Sequence, residues 1–491
     1  MALEAVNESG AGPDLDGSHT VASSTPVRFL GSRPWPTGDL PPPSARMEPG
    51  GMSREPEEIH DPDHEIRLSR VAAIDVAKAS GKVCTRLPHS TQPHRRVTLV
   101  WDVVSTTNEL CALAQRLVTN QIERVVLEST GDYWRPFYYI LEAHGVTVWL
   151  VNANDVKQVP GRPKTDKLDA VWLAKLNERG MLRPSFVPPK AIRDIRDYTR
   201  LRHDLVADRT RYKLRLDKLL EDALIKLSTV ATNFLGLSGR AMIDALVAGE
   251  RDPRRLAELA LGKLRVKRPA LVEALTGRFD DHHATIAVVL LQQIDALDVE
   301  IDKLTVIIDQ LIAALPPTGT GEDCPPAAHQ PSVLERLDEI PGVGPRVAQI
   351  IIAETGGNMA QFPTAGHLVS WTKLSPRTMQ SGSKTRRGPT GRGSPYLKSV
   401  LGDAAAAAAR TDTFLGERYR RLVKRRGKAR ALVAIARSIL TIVWHILADP
   451  TASFIDLGPD HYATHINKHR KTRSLIRQLE ALGHTVQLNP A

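Results

Sequence analysis

The 491-residue chain is expected to fold as an α/β unit followed by a mostly helical remainder. Three observations carry this. Short β-rich runs alternate with helical stretches between residues 67 and 185. Apolar residues at 287, 290, 291, 294, 297, 301, 304, 308, 311 and 315 recur at spacings of three and four, which is a single helical stripe. Hydrophobic residues make up 42% and aromatic residues only 5%, the balance of an Ala- and Leu-rich helical protein and not of a β-sandwich.

In chain order, residues 1–66 come first. They hold ten of the 34 prolines and twelve acidic residues against four basic ones, with no sustained apolar period. Such a segment cannot bury enough surface to offset its ordering entropy and reads as a disordered tail. The runs RVAAIDV (70–76), GKVCTRL (81–87) and RRVTLVWDVV (95–104) then predict three sequential strands in an antiparallel meander. A helix follows at about 107–119, a strand in RVVLEST (124–130), a helix in WRPFYYILEAHG (134–145), a strand in TVWLVN (147–152) and a helix in TDKLDAVWLAKLNERG (165–180). Together these make one α/β domain over 67–185, a mixed sheet covered by helices. The aromatic residues around 133–139 fall in an apolar helical run and read as core packing rather than a base-stacking surface.

Residues 186–315 read as a helical link, with a charged helical stretch over 190–226 and the apolar stripe described above, as in a coiled coil or a long packed hairpin. The DDHH run at 280–283 is a polar helix start rather than a metal cluster, because consecutive helical residues point in different directions. Residues 316–331 are rich in Pro and Gly and mark a loop. A second domain spans 332–450, and a basic extension containing KHRKTRSLIRQ (468–478) spans 451–491.

The formal net charge of +11 and a sequence pI of about 9.6 favour a polyanionic partner, since Lys and Arg gain free energy when phosphates release their counterions. Three widely spaced cysteines, Cys84, Cys111 and Cys324, fit neither a disulfide framework nor a zinc knuckle, and a reducing cytoplasm is the expected setting. The most apolar long stretch, ALVAIARSILTIVWHILA (431–448), contains Arg437 and His445 and reads as a buried helix rather than a membrane span. The N-terminal residues lack a compact apolar signal-peptide core.

Two carboxylates stand where burial is expected: Asp75 inside AAIDVAK and Glu128 at the end of VVLEST. An acid in such a strand costs several kcal/mol unless it is paired, hydrogen-bonded or metal-bound. In RPKTDKLDA (162–170), Asp166 and Asp169 lie three apart at a helix start and share one face. Oxygen-only ligands of this kind favour hard cations such as Mg²⁺ or Mn²⁺. Taken singly, each acid also has a structural reading, as a helix cap, a dipole partner or a hydrogen-bonded structural acid.

AAIDVAK, VVLESTGDYW and RPKTDKLDA together resemble the DEDD, RuvC-like N-terminal domain of transposases of the bacterial insertion sequence 110 family, across most of 70–185. The resemblance implies an RNase H-like fold in which Asp75, Glu128, Asp166 and Asp169 form a metal-binding acidic tetrad.

In the second domain, LDEIPGVGPRVAQIIIAETG (337–356) has the form of a helix-hairpin-helix. Gly342 and Gly344 there would let backbone N–H groups approach a phosphate; an ordinary tight turn is the alternative. From 384 to 430 there are 14 Lys and Arg against three acids, the electrostatic footprint of a nucleic-acid surface. Ser381, followed by Gly382 and flanked by Lys384, Arg386 and Arg387, has the surroundings of a nucleophile that attacks a phosphate; Ser375, Ser383 and Ser394 lie nearby and leave the choice open on chemistry alone. Arg392 and Lys398 extend the same candidate nucleic-acid surface.

PGVGP, FPTAGHLVSWTKLSP, QSGSKTRRG and RGSPYLKSVLGDAA are similar to the same family's C-terminal transposase domain, whose catalytic serine matches Ser381. The resemblance implies a recombinase in which the acidic tetrad and the serine form a composite site. Ser381 would attack DNA to give a phosphoserine intermediate, so that no nucleotide triphosphate is needed, and no P-loop is present in the sequence. It implies as well a structured guide RNA as partner and a homo-oligomer, with the long helices as the assembly device. The acidic tail, the 316–331 loop and the basic extension depart from the family's compact layout. Two rival readings remain at this stage: a RuvC-like nuclease or junction resolvase using water, and a nucleic-acid-binding scaffold with merely structural acids.

Overall fold

A computed structural model describes residues 68–92, 95–129, 131–152, 165–315, 331–376, 378–382, 384–464 and 468–488. The expected tail at 1–66, most of the 316–331 loop, Cys324 and Ser383 lie outside these residues. The chain divides into two compact units, with the boundary between Pro188 and Pro189.

The first unit is built on five strands: β1 (Val71–Val76), β2 (Ser80–Pro88), β3 (Arg96–Val104), β4 (Arg124–Ser129) and β5 (Val148–Val151). Their order in the sheet is β3-β2-β1-β4-β5. β1, β2 and β3 are antiparallel neighbours, the expected meander, whereas β4 runs parallel to β1 and β5 parallel to β4. Each parallel step needs a crossover, supplied by helices α1 (Thr107–Thr119) and α2 (Trp134–Ala143). This order and direction are those of an RNase H/RuvC-like α/β domain.

Alternation along the strands sorts the core into two layers. Ala72, Ile74, Val83, Val125 and Leu127 face α1 and α2, packing on Leu110, Leu117, Phe137 and Leu141. Ala73, Cys84 and Val126 face the other way, against Ala170, Leu173 and Ala174 of α3 (Asp166–Glu178). Of the aromatic residues at 133–139, only Phe137 is fully buried; Trp134, Tyr138 and Tyr139 meet edge to face at 5.5–6.2 Å and stay partly exposed. The sequence reading as core packing therefore holds for Phe137 and for Tyr138, which packs half-buried against the same core, while Tyr133 is exposed.

The C-terminal end of α3 is locked to the sheet by Asn177, which is fully buried. Its side-chain oxygen accepts from Arg124 Nε at 2.7 Å, and its amide nitrogen donates to the carbonyls of Ala72 at 3.0 Å and Arg124 at 3.1 Å. The Arg124 guanidinium lies 3.7 Å over the Trp149 ring. A helix pinned at its end this way presents its first turn at a set place on the sheet.

In the second unit, α4 (Lys190–Asp222) and α5 (Asp281–Ala313) lie antiparallel: Arg202 reaches Thr305, Arg209 pairs with Asp298, and Leu216 and Leu220 pack with Ala287 and Leu291. The apolar stripe read from the sequence supplies this contact, with Ala287, Leu291, Ile294, Ile301, Leu304 and Ile308 buried. DDHH starts α5 as expected. Asp280 is its N-cap, and the buried His283 ring bridges Asp280 at 2.6 Å and Asp222, at the end of α4, at 3.1 Å.

Six helices further along the chain share a second core: α6 (Val333–Asp338), α7 (Pro345–Thr355), α8 (Ala365–Trp371), α9 (Pro395–Ala408), α10 (Phe414–Arg426) and α11 (Lys428–Ala448). By length and composition α11 could cross a membrane, yet Ile435, Ile439, Leu440, Val443 and Ile446 are buried in this core. Buried Arg336 ties α6 to the end of α11 by donating to the carbonyls of Ile446, Asp449 and Ala452, each at 3.0 Å.

α6 and α7 are the two helical segments expected on either side of the PGVGP turn. At Gly342 φ is +87°, and a Cβ would sit 2.2 Å from the Ala404 carbonyl oxygen of α9. The position needs glycine because a helix backbone lies against it. Gly344 is the N-cap of α7 with open space around it. Gly342→Ala is expected to destabilise the protein by about 2–4 kcal/mol, read from the denaturation midpoint, while Gly344→Ala costs less than about 1 kcal/mol.

Candidate active-site residues

Strand register brings the first two acids together. Asp75 pairs with Glu128 across the parallel β1–β4 ladder and with Lys82 across the antiparallel β1–β2 ladder. Lys82 in turn pairs with Asp102, and their side chains form an ion pair of 2.5 Å. A cross-strand row thus reads Asp102, Lys82, Asp75, Glu128, Val151. Because Asp75 is two residues beyond Ala73 and Glu128 two beyond Val126, both acids point to the face that α3 covers. They occupy corresponding places near the C-terminal ends of parallel strands, where α/β sheets carry their ligands. Glu128 is only 6% exposed and Asp75 partly exposed.

α3 begins at Asp166. Thr165 is its N-cap, its hydroxyl accepting from Leu168 N at 3.4 Å. Asp169, partly exposed, immediately precedes Ala170, which packs on the same sheet face as Ala73 and Val126. The Asp166 side chain lies outside the description. Among the described residues no group of three or more His, Cys, Asp or Glu side chains is placed to hold a metal ion. The carboxylate-only donor set nevertheless suits a hard divalent cation. Cys84 on the same face is no competing ligand, since burial pushes its thiol up to about 11 and keeps it protonated.

Ser381 sits in an element that the sequence reading did not foresee. TMQS and KTRR form a two-stranded hairpin, β6 (Thr378–Ser381) and β7 (Lys384–Arg387), around Gly382, where φ is +57°. Ser381 pairs with Lys384 and Met379 with Arg386, so these four share one face. Thr378 pairs with Arg387 on the alternate register. Ser381, Gly382, Lys384, Arg386 and Arg392 are all exposed.

The rival Ser394 is already committed. It caps α9, accepting from Leu397 N at 3.3 Å, and its hydroxyl donates to Glu354 Oε2 at 2.9 Å. Lys398 also has a structural partner, the Gly391 carbonyl at 3.1 Å. Glu354, 2% exposed, takes a two-pronged bond from Arg200 of α4 at 2.7 and 2.9 Å. Two residues past Ser394, Tyr396 donates to Asp204 of α4 at 2.9 Å. The chain leaving the hairpin is thereby clamped to a long helix by residues that sequence reading missed; the available signal was an acid inside the apolar run QIIIAET. Removing one partner of a buried ion pair strands the other charge, so Glu354→Ala should cost about 2–3 kcal/mol, after allowing for the partial exposure of Arg200. Thermal melts check this.

Strand order and direction define an α/β domain of the RNase H/RuvC type, followed in the chain by a helical second unit. Two family models match: the DEDD model for IS110, described as a transposase, over residues 72–225, and the IS116/IS110/IS902 transposase family over 334–420. The chain belongs to the IS110 family of insertion-sequence DNA transposases. Among relatives, the transposase for insertion sequence element IS1111A of Coxiella burnetii is 25% identical over 332 residues, covering 66% of this chain and 77% of that one. The insertion element IS900 42 kDa protein of Mycobacterium paratuberculosis, itself uncharacterised, is 27% identical over 314 residues, 59% of this chain and 72% of that one. A structure of T. thermophilus RuvC in complex with a Holliday junction substrate aligns with 24% of this chain and all of its own at 14% identity and a TM-score of 0.19.

Proposed function

We propose that this transposase cuts and rejoins DNA through a covalent phosphoserine intermediate at Ser381, with Asp75, Glu128, Asp166 and Asp169 holding Mg²⁺ or Mn²⁺ for the same reaction. The observation that carries this is the hairpin: an exposed serine whose face is shared by two cations suits attack on a phosphodiester. Lys384 and Arg386 neutralise the phosphate and the charge that grows on its oxygens. The Ser381 Oγ–phosphorus bond forms as the bond from phosphorus to one deoxyribose oxygen breaks; the serine proton is lost and the departing oxygen gains one. A strand hydroxyl then attacks the phosphoserine, restoring the Ser381 hydroxyl and joining a new pair of strands, so bond energy is conserved.

When bound, a divalent cation supplies charge stabilisation of the attacking and leaving oxygens. Asp75 and Glu128 hold their place through strand pairing, and Asp166 and Asp169 through the capped start of α3. A structured guide RNA pairing with the DNA, and a homo-oligomer assembled on the long helices, complete the proposal; the net charge of +11 supports a large polyanionic partner.

The test mixes full-length protein with Mg²⁺, duplex DNA carrying the ends of its element and RNA transcribed from that element, then denatures the mixture. A protein–DNA adduct mapping to Ser381 is expected. Cleaved DNA with no adduct would favour the water-using nuclease, and a mobility shift alone the scaffold.

A further inference from the structure

Between Arg418 and Ala448 the chain has nine Lys and Arg and no Asp or Glu. Six of these cations crowd one turn: Arg421, Lys424, Arg425 and Arg426 end α10, Gly427 intervenes, and Lys428 and Arg430 begin α11. All six are exposed. Arg421 lies 4.1 Å over the Tyr462 ring, and the other five have no ion-pair partner among the described residues. Several cations elsewhere in this unit are paired: Arg209 with Asp298, Arg240 with Asp244 and Asp295, Lys303 with Glu300, Arg420 with Asp412 and Glu417.

Helix stability accounts for only part of the cluster. Lys424, Arg425 and Arg426 lie in the last turn of α10, where the helix dipole favours cations. Lys428 and Arg430 lie in the first turn of α11, where the dipole opposes them and no acid compensates. Arg421 and Arg425 add a like-charge pair one turn apart. A patch kept exposed against its own repulsion is built for an external anion. Its spacers from 421 to 430 are Leu422, Val423, Gly427 and Ala429, whose side chains form no hydrogen bond to a base edge. The family match in this unit ends at residue 420 and leaves the patch outside.

We propose that the α10–α11 turn is a sequence-independent binding site for the phosphodiester backbone of nucleic acid. It does not rest on the roles given to Ser381 or to the acids. Duplex DNA and structured RNA share the recognised chemistry, and the experiment separates them.

Full-length protein is compared with a variant carrying Lys424→Gln, Arg425→Gln, Lys428→Gln and Arg430→Gln, each change at an exposed position, with circular dichroism to verify folding. Affinity is measured over a salt series for a duplex of arbitrary sequence and for an RNA hairpin. Each phosphate neutralised on duplex DNA adds about 0.9 to the slope of log affinity against log salt, so the four-site variant is expected to flatten that slope by about 3.6, equally for unrelated sequences. Flattening with either polymer supports the site and identifies which polymer it serves. Unchanged slopes with both overturn it, as does a loss of binding seen only with vesicles of anionic lipid.

Discussion

Ser381→Ala is expected to leave DNA binding unchanged and to lower strand transfer by a factor on the order of 10⁴ or more, with the covalent adduct absent. The size follows from what the substitution deletes. The oxygen proposed to form the new bond to phosphorus is gone, and Ser394 does not replace it, being spent on Glu354 and on the start of α9. Binding survives because Lys384 and Arg386 stay exposed on the same hairpin face. Adduct yield on a denaturing gel and affinity by mobility shift read the two effects separately. Normal recombination by the alanine variant would remove Ser381 from the mechanism and point to water as the nucleophile. Gly382 carries a related constraint, because its φ of +57° suits glycine at the tip of a two-residue turn.

Asp75→Asn should reduce strand transfer on the order of 10³-fold while the protein stays folded. Asparagine keeps the size of the side chain, and Asp75 is partly exposed, so packing around Ala73 and Ile74 is preserved. The charge is what changes. In the row Lys82, Asp75, Glu128 the variant removes one of two adjacent carboxylates and leaves Glu128 one strand removed from Lys82. Weaker Mn²⁺ binding by calorimetry is therefore expected together with the lost activity. If Mn²⁺ affinity is unaltered in Asp75→Asn and in Glu128→Gln alike, the acids are structural and the metal assignment fails. The ion pair of Lys82 with Asp102 gives a control, since Asp102→Asn lies in the same row but outside the proposed donor set.

Much of this molecule can be read without coordinates. The helix expected at 107–119 forms over Thr107–Thr119, and the run RVAAIDV becomes β1 at Val71–Val76. Apolar spacing of two or of three and four is a local property, so strands and helices announce themselves in it. The apolar stripe from 287 likewise names the buried side of α5. Asp75 and Glu128 stand out because each interrupts a run otherwise suited to burial.

Partners distant in sequence are a different matter. That Asp75 lies beside Glu128, with Lys82 on its other side, follows from the register of two ladders, which no short window encodes. The β6–β7 hairpin has no apolar alternation to reveal it, since TMQS and KTRR are polar and basic, and its pairing alone places Ser381 opposite Lys384. The reason position 342 takes glycine, the carbonyl of Ala404 lying where a side chain would go, comes from a residue some sixty positions away in sequence. The amino-acid order thus determined which segments become strands and helices and which residues can do chemistry, because those depend on neighbours along the chain. Which of those residues meet, and which backbone lies against a glycine, was settled by packing between segments, whose geometry exists only once the chain has closed on itself.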